Sequence, residues 1–141
     1  MKHILLFLGI AIFLSHCSQE HNHQKAPFDG EKVQIDATLL KEGIPVFYVF
    51  QNRDDRIPFF VLKVNNEIHS YFDACQECYK NKLGYRYENG MLICNACSEV
   101  YSIFNLKDGR GGCYPIGLKG TLNGGLYEID KESVIEGKKY F

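Results

Sequence analysis

Short apolar runs separated by polar turn residues dominate the chain from residue 31 onwards, and they predict strands. The runs in the first half are residues 33–39, 44–50, 57–64 and 68–72. The first of them alternates apolar and polar residues with a period of two, as expected for a half-buried strand. Asn65-Asn66 separates the last two runs and suits a two-residue hairpin turn. The pattern predicts a β-meander that leads directly into Cys75.

A second hairpin is predicted in the middle of the chain. Asn89-Gly90, a residue pair typical of type I′ turns, lies between the short apolar segments 83–87 and 91–93. Further along, the pattern predicts strands at 100–106 and 126–129, a glycine-rich turn at 107–112, and a short helix or turn at 131–137. The chain also contains 10 Phe and 9 Tyr residues, which favour strands. We therefore expect a mainly β fold, a small antiparallel β domain.

The first residues have the pattern of an export signal. Residues 4–14 form an apolar run that is too short to span a bilayer comfortably, and Cys17 follows it closely. The segment resembles a bacterial lipobox, in which the cysteine is lipidated, although His16 occupies a position where a small residue is expected. Ordinary secretion and an uncleaved anchor are the alternatives.

This pattern divides the chain into three parts. We expect a lipoprotein-type signal peptide at residues 1–17, a flexible tether at 18–30 and a metal-binding domain at 31–141. Lipidation of Cys17 would anchor the chain to a membrane of the bacterial cell envelope, facing the periplasm. Ser18 follows Cys17 where an aspartate would favour retention at the inner membrane, so the outer membrane is slightly favoured.

Charge and histidine content exclude several classes of function. The net charge of −1 over 141 residues offers no basic surface for nucleic acid. His69 is the only histidine after residue 31, and a lone histidine on a strand is more often structural than catalytic. The sequence shows no nucleophile with a base and an orienting residue, and we therefore do not predict an enzyme.

Two Cys-x2-Cys pairs carry the strongest chemical signal in the chain, Cys75 with Cys78 and Cys94 with Cys97. Fifteen residues lie between the pairs, and the predicted hairpin among them brings the pairs together. Four thiolates on two tight turns form a tetrahedral site that suits Zn²⁺ or iron. Cys113 follows two glycines, which permit close backbone approach, and we expect it near the same site.

Other uses of paired cysteines fit this sequence less well. Exported proteins often contain disulfides, but lipidation of Cys17 would leave five cysteines, an odd number. A thioredoxin-type motif requires a helix behind the first pair, and the chain breaks at Gly84. A c-type haem requires a histidine after a pair, where Tyr79 and Ser98 stand. A closed zinc site that only stabilises the fold stays an alternative to a redox centre.

The arrangement of two ligand turns on a hairpin also resembles a Rieske domain, with Cys78 and Cys97 in the positions of the two histidines. No histidine follows His69, so the resemblance implies an all-thiolate centre. A closer resemblance is to the FtrD-like family of membrane-associated iron–sulfur proteins. It is carried by FDACQEC (72–78), LGY (83–85), MLICNAC (91–97), GGCYPI (111–116) and the lead-in FFVLK (59–63).

The FtrD-like resemblance covers residues 31–141, and Tyr114 departs from the asparagine expected in the Gly-Gly-Cys segment. The resemblance implies an iron–sulfur cluster as cofactor, with zinc as the alternative. It also implies an electron carrier or redox partner linked to the uptake of iron or another metal, with a metal permease or a redox protein as its partner. The competing interpretation is a zinc-stabilised binding module or a metal-capturing lipoprotein without redox function.

Overall fold

The computed structural model describes residues 22–108 and 112–141, which form a mainly β domain. The strands are β1 (Gln24–Lys25), β2 (Lys32–Asp36), β3 (Val46–Asn52), β4 (Asp55–Val64), β5 (Glu67–Cys75), β6 (Tyr85–Glu88), β7 (Met91–Cys94), β8 (Val100–Ser102), β9 (Pro115–Leu118), β10 (Thr121–Asn123) and β11 (Leu126–Asp130). One short helix, α1 (Lys131–Ile135), and the 3₁₀ segments Ala37–Leu39, Tyr79–Asn81, Ile103–Asp108 and Glu136–Tyr140 complete the described secondary structure. The predicted fold class, a small antiparallel β domain, is confirmed.

The largest sheet has five strands in the order β1-β3-β4-β5-β9. Strands β3, β4 and β5 pair in sequence order, as predicted for a meander. Asn65 and Asn66 form the turn between β4 and β5 with φ of 52° and 65°. Two consecutive positive φ angles are required by a type I′ turn, and asparagine tolerates them better than most residues. The meander carries the chain to Cys75, the last residue of β5.

A second sheet contains β10, β11 and β2 in that order. The sequence pattern placed the first strand in the meander, and this assignment was wrong, because β2 pairs with β11 near the end of the chain. The register places Val33 opposite Ile129 and Ile35 opposite Tyr127, and all four are buried. The buried positions of β2 therefore face the buried positions of β11, about 94 residues away in the sequence. The alternating pattern of each strand predicts the strand itself, but it does not predict which distant strand will be its partner.

The third sheet has the order β6-β7-β8 and supports the cysteine pairs. The turn between β6 and β7 is at Asn89 and Gly90, with φ of 49° and 80°, as predicted for this hairpin. The strand predicted at 100–106 ends earlier, at Ser102, and continues as 3₁₀ structure. Ile103 and Leu106 are both buried. They are three residues apart, a spacing that would place them on opposite sides of a strand. The segment instead has a kink at Asn105, where φ is −128° and ψ is 27°.

Part of the segment predicted as a tether, residues 18–30, belongs to the domain. Strand β1 runs parallel to β3 at the edge of the large sheet. Ala26 donates its backbone N–H to Val49 O at 2.9 Å and is buried. The Phe28 ring packs edge-on against Phe50, with centroids 5.1 Å apart. An open strand edge offers unpaired backbone groups that a polar segment can bind, and sequence periodicity does not report this kind of pairing.

Two apolar cores fill the space between the sheets. The first lies between the five-stranded sheet and the β10-β11-β2 sheet and includes Phe59, Phe72 and Ile129. The second contains Phe60, Leu62, Tyr85, Leu92, Tyr101 and two of the predicted site residues, Cys75 and Cys94. The candidate site is therefore built on packed residues rather than on an independent surface loop.

Candidate metal centre

The first Cys-x2-Cys turn begins where β5 ends. Cys75 is the last residue of that strand and only 2% exposed. The backbone N–H of Cys78 donates to the Cys75 sulfur at 3.3 Å, which closes the turn. The 3₁₀ segment Tyr79–Asn81 then carries the chain away through Lys82, whose φ is 55°. Cys75 is thus held by the sheet, whereas Cys78 is half-buried at the turn.

The second turn begins where β7 ends. Cys94 is 1% exposed and pairs with Tyr85 across the β6–β7 hairpin. Ser98 donates its N–H to Cys94 O at 2.9 Å and has a φ of 63°, and these features reverse the chain after Cys97. The thiol of Cys97 is exposed at the outer end of the turn. Each pair therefore provides one buried sulfur at a strand end and one more accessible sulfur.

Cys113 approaches the two turns from a third segment. Its sulfur lies 3.0 Å from the Cys97 sulfur and 3.7 Å from the Cys78 sulfur. The Tyr85 hydroxyl donates to Cys113 O at 2.7 Å. Gln76 in the first turn donates its N–H to Tyr114 O at 2.9 Å. The residues around Cys113 are thus hydrogen-bonded to both the hairpin and the first cysteine turn.

Gly112 shows how closely this segment approaches the first turn. A Cβ atom at Gly112 would lie 2.2 Å from the Cγ of Glu77, a distance that no real contact allows. The two segments are therefore in close contact here, and a larger residue at position 112 would force the exposed Glu77 side chain to move. Gly111, the preceding residue, lies outside the described residues.

The five sulfurs of Cys75, Cys78, Cys94, Cys97 and Cys113 form one group, which we call the five-sulfur cluster. The sulfurs of Cys75, Cys78 and Cys94 all lie within 4.8 Å of one another, and so do those of Cys78, Cys97 and Cys113. All five residues are free thiols, and the described residues contain no disulfide. The structure thus brings together every cysteine that the sequence proposed for the site, and their role as metal ligands stays a prediction.

The thiols influence one another electrostatically. Burial raises the pKa of the Cys75 thiol, but backbone N–H groups of Cys78 and Glu77 outweigh it and lower the pKa below its ordinary value. Burial raises the pKa of Cys94 to about 12. The hydrogen bond with Cys97 and burial raise the pKa of Cys113 well above its ordinary value. Ionising one sulfur thus disfavours ionising its neighbours, and a cation would offset this repulsion.

Two further features of the site suit a bound metal centre. Both sulfur groups consist of cysteines alone, and thiolates are the ligands that thiophilic metal ions prefer. The hydroxyl of Tyr101 is buried and has no hydrogen-bond partner among the described residues. Burial raises the pKa of Tyr101 to about 12, and Tyr101 belongs to the same apolar core as Cys75 and Cys94. The residues present therefore fit an all-thiolate metal centre.

A buried carboxylate stabilises the frame of the site, and the sequence analysis missed it. Asp73 is 6% exposed and accepts a hydrogen bond from Tyr85 N at 2.7 Å. Its other oxygen lies 2.9 Å from His23 Nε2. A Cβ at Gly84 would lie 2.6 Å from the Asp73 carboxylate. In the sequence, Asp73 is visible only as an acidic residue two positions before Cys75. Nothing in the sequence indicates that it contacts Tyr85 and His23.

Neither histidine among the described residues, His23 or His69, belongs to the two sulfur groups. His69 Nε2 lies 3.4 Å from a Glu67 carboxylate oxygen. His23 contacts Asp73, and His21, considered with His23 as a weak metal site, lies outside the described residues.

Comparison with known proteins agrees with this geometry. A family model described as “Membrane iron-sulfur containing protein FtrD-like” matches residues 40–141. The chain belongs to the FtrD-like family. The match spans both cysteine turns, Cys113 and the meander that precedes them, and it confirms the resemblance noted in the sequence. A search of curated proteins found no match.

The membrane association in the family description has no counterpart in a spanning helix among residues 22–108 and 112–141, where the longest α-helix has five residues. Cys17, the predicted lipidation site, and the whole predicted signal peptide at residues 1–17 lie outside the described residues. Export and lipid anchoring are therefore predictions from the sequence alone.

Proposed function

We propose that this FtrD-like protein is an exported, membrane-tethered electron carrier that holds an iron–sulfur centre on the five-sulfur cluster. The observation that supports the proposal most strongly is the convergence of all five thiols on one group in a family described as iron–sulfur containing. We further propose that its partner is a metal permease or a redox protein of the cell envelope.

The residues around the sulfurs have separate roles in this proposal. An iron–sulfur cluster, when bound, supplies one-electron chemistry, with a potential that depends on hydrogen bonds to sulfur and on solvent exposure. Cys75 and Cys94 lie in the apolar core and exclude water from one side of the site. Cys97 lies on the exposed side, which gives a partner its shortest approach to the cluster. Backbone N–H groups stabilise the thiolate form that binds metal.

Tyr101 provides a specific test of these roles. In the metal-free protein its hydroxyl has no partner, so Tyr101→Phe should not lower the free energy of unfolding. Tyr101 shares the apolar core with Cys75 and Cys94, and if its hydroxyl donates to a sulfur of the loaded centre, the same substitution should lower the reduction potential. We expect unchanged urea unfolding without metal and a more negative midpoint in a redox titration. An unchanged midpoint would exclude a hydrogen bond from Tyr101 to the centre.

The proposed cofactor is tested by purifying the full-length chain in detergent without oxygen. We expect iron together with acid-labile sulfide, and a visible absorption that bleaches on reduction. Cys94→Ser should lose metal and stability together, because metal ligation contributes folding free energy. Cys17→Ser is the matched control, since it removes a cysteine outside the five-sulfur cluster and should retain the iron.

Zinc is the alternative, and the cysteine turns fit it equally well. Two Cys-x2-Cys turns with buried first cysteines suit a four-thiolate zinc site as well as they suit iron. Zinc has a filled d shell, so it gives neither colour nor redox chemistry. A colourless protein with one stoichiometric zinc, isolated without oxygen from its native host, would refute the electron carrier and support a zinc-stabilised binding module.

The membrane tether is tested separately. If Cys17 carries the lipid, the wild-type chain should fractionate with membranes and Cys17→Ser should become soluble while it keeps its metal. A Cys17→Ser chain that stays in the membrane fraction would exclude lipidation as the anchor and favour an uncleaved apolar segment.

A further inference from the structure

The five-sulfur cluster contains more donors than a single metal ion uses. A tetrahedral ion binds four ligands, and the described residues provide five thiols. The five sulfurs divide into two groups of three, Cys75 with Cys78 and Cys94, and Cys78 with Cys97 and Cys113. Cys78 belongs to both groups. A thiolate has more than one lone pair and can bind two cations at once.

We propose that the five-sulfur cluster is a dinuclear site for two thiophilic transition-metal ions, with the Cys78 sulfur as the bridge. One ion is held by Cys75, Cys78 and Cys94, and the other by Cys78, Cys97 and Cys113. This rests on the proposed function in one respect, that the cysteines bind metal at all. It goes further in dividing the sulfurs three and three around a shared one.

Hydrogen bonds position the backbone that carries Cys113. The Tyr85 hydroxyl donates to the Cys113 carbonyl at 2.7 Å, and Tyr85 itself is 1% exposed. Gln76 donates its N–H to the carbonyl of the next residue, Tyr114, at 2.9 Å. Gly112 lies in close contact with the Glu77 side chain of the first turn. A thiol that served only as core packing would not require hydrogen bonds to both neighbouring cysteine-bearing segments.

Charge compensation also favours two ions. Metal ligands must be thiolates, and five thiolates near one another repel strongly in a half-buried site. One divalent ion offsets two of these charges, whereas two divalent ions offset four.

The three-and-three division makes a specific prediction about coordination. Each ion has three protein thiolates, so a tetrahedral ion keeps one open position for a small ligand. The group of Cys75, Cys78 and Cys94 contains both buried sulfurs, whereas the group of Cys78, Cys97 and Cys113 contains the exposed one. The outer ion is therefore expected to exchange faster with chelators than the inner ion does.

Cobalt(II) is a suitable probe because it needs no inorganic sulfide and is visible by absorption and by electron paramagnetic resonance. Metal-free, full-length protein in detergent is titrated with Co²⁺ under reducing, oxygen-free conditions. We expect thiolate-to-cobalt absorption to rise to two ions per chain. The paramagnetic signal should rise with the first equivalent and fall with the second, because a bridging sulfur couples the two spins antiferromagnetically.

Variants separate the inner site, the outer site and the bridge. Cys94→Ser and Cys113→Ser should each bind one Co²⁺ and give an uncoupled signal. Cys78→Ser should weaken both sites, since it removes a ligand from each. Cys17→Ser is the control and should still bind two coupled ions. Circular dichroism checks that each variant is folded. If a variant does not fold, the spin-coupled Co²⁺ signal of the wild-type chain alone decides whether the site is dinuclear.

The outcomes distinguish this inference from the proposed function. One Co²⁺ per wild-type chain, two ions without spin coupling, or two ions in Cys113→Ser would each overturn the dinuclear site while metal binding stands. No Co²⁺ bound would overturn both. In iron-loaded protein, Cys113→Ser should halve the iron content, whereas a cluster held by the four paired cysteines alone would keep all its iron, and that result would also overturn the inference.

Discussion

Asp73 is the buried residue whose replacement should affect both the fold and the candidate metal centre. Its carboxylate is 6% exposed and lies two residues before Cys75. One oxygen accepts the Tyr85 N–H at 2.7 Å and the other lies 2.9 Å from His23 Nε2. Replacing Asp73 by alanine removes both contacts and leaves the buried Tyr85 N–H without a partner.

The magnitude of this loss can be worked out from the two hydrogen bonds. A hydrogen bond to a charged group contributes roughly 1.5–3 kcal/mol. Removing the carboxylate also removes the cost of keeping it out of water, which offsets part of the loss. We expect Asp73→Ala to lower the free energy of unfolding by about 2–4 kcal/mol. Asp73→Asn keeps an acceptor for Tyr85 N–H, and its cost should be about 1 kcal/mol.

The same substitution should weaken metal binding, because Tyr85 connects Asp73 to the cluster. Tyr85 donates its backbone N–H to Asp73 and its hydroxyl hydrogen to Cys113 O. Residues that orient ligands without touching the metal typically change affinity by roughly 10–100-fold. Urea unfolding of metal-free protein measures the first effect, and Co²⁺ titration against a competing chelator measures the second. A double-mutant cycle with His23→Ala isolates the contribution of the N-terminal segment.

Specific results would refute this reasoning. If Asp73→Ala unfolds within about 0.5 kcal/mol of wild type, the carboxylate is not a net stabiliser of the frame. If stability falls as expected but Co²⁺ affinity does not change, the contact between Asp73 and Tyr85 does not help to position Cys113 for metal binding. If the double-mutant cycle shows no coupling, the His23 contact contributes nothing measurable and residues 22–30 are bound by the sheet edge alone.

Gly84→Ala should destabilise the domain by more than about 2 kcal/mol, because φ is 58° and the new Cβ would lie 2.6 Å from Asp73. Gly90→Ala, at φ of 80° with nothing within 4 Å, is the matched control and should cost only the backbone strain, about 1 kcal/mol. Equal losses in urea unfolding would contradict the steric argument. The hydrogen bond from Lys32 lowers the pKa of Glu128, so this contribution to stability is present above the unfolded-state pKa and is lost as the pH falls through the folded-state pKa. Glu128→Gln should therefore flatten the acid limb of stability against pH, and an unchanged acid limb would exclude this ion pair as its cause.

The features that the sequence predicted well depend on local chemistry. Asn65-Asn66 and Asn89-Gly90 form the two hairpin turns because few residues tolerate consecutive positive φ angles. The spacing of the paired cysteines around the second hairpin predicted that Cys75, Cys78 and Cys94 would meet, since a two-residue turn fixes the register of its strands. In these segments the conformation is decided within a few residues of sequence.

The features that the sequence did not predict depend on partners that are far apart in the chain. Strand β2 pairs with β11, and His23 meets Asp73 across 50 residues. Strands β9 and β10 have four and three residues, too few for a period to be visible. Strand β1 is polar and binds an open sheet edge through its backbone, so its side chains carry no signal for that pairing.

The arrangement of the cysteines links metal binding to the packing of the domain in both directions. Cys75 ends a strand of the large sheet, Cys94 ends a strand of the small one, and Cys113 is held between them by Tyr85. The sulfurs can converge only when the two sheets are packed around the second core. A metal that binds the converged sulfurs but not the unfolded chain stabilises this packing by mass action. Replacing Leu92, which is fully buried in that core, by a smaller residue should therefore weaken metal binding without removing any ligand.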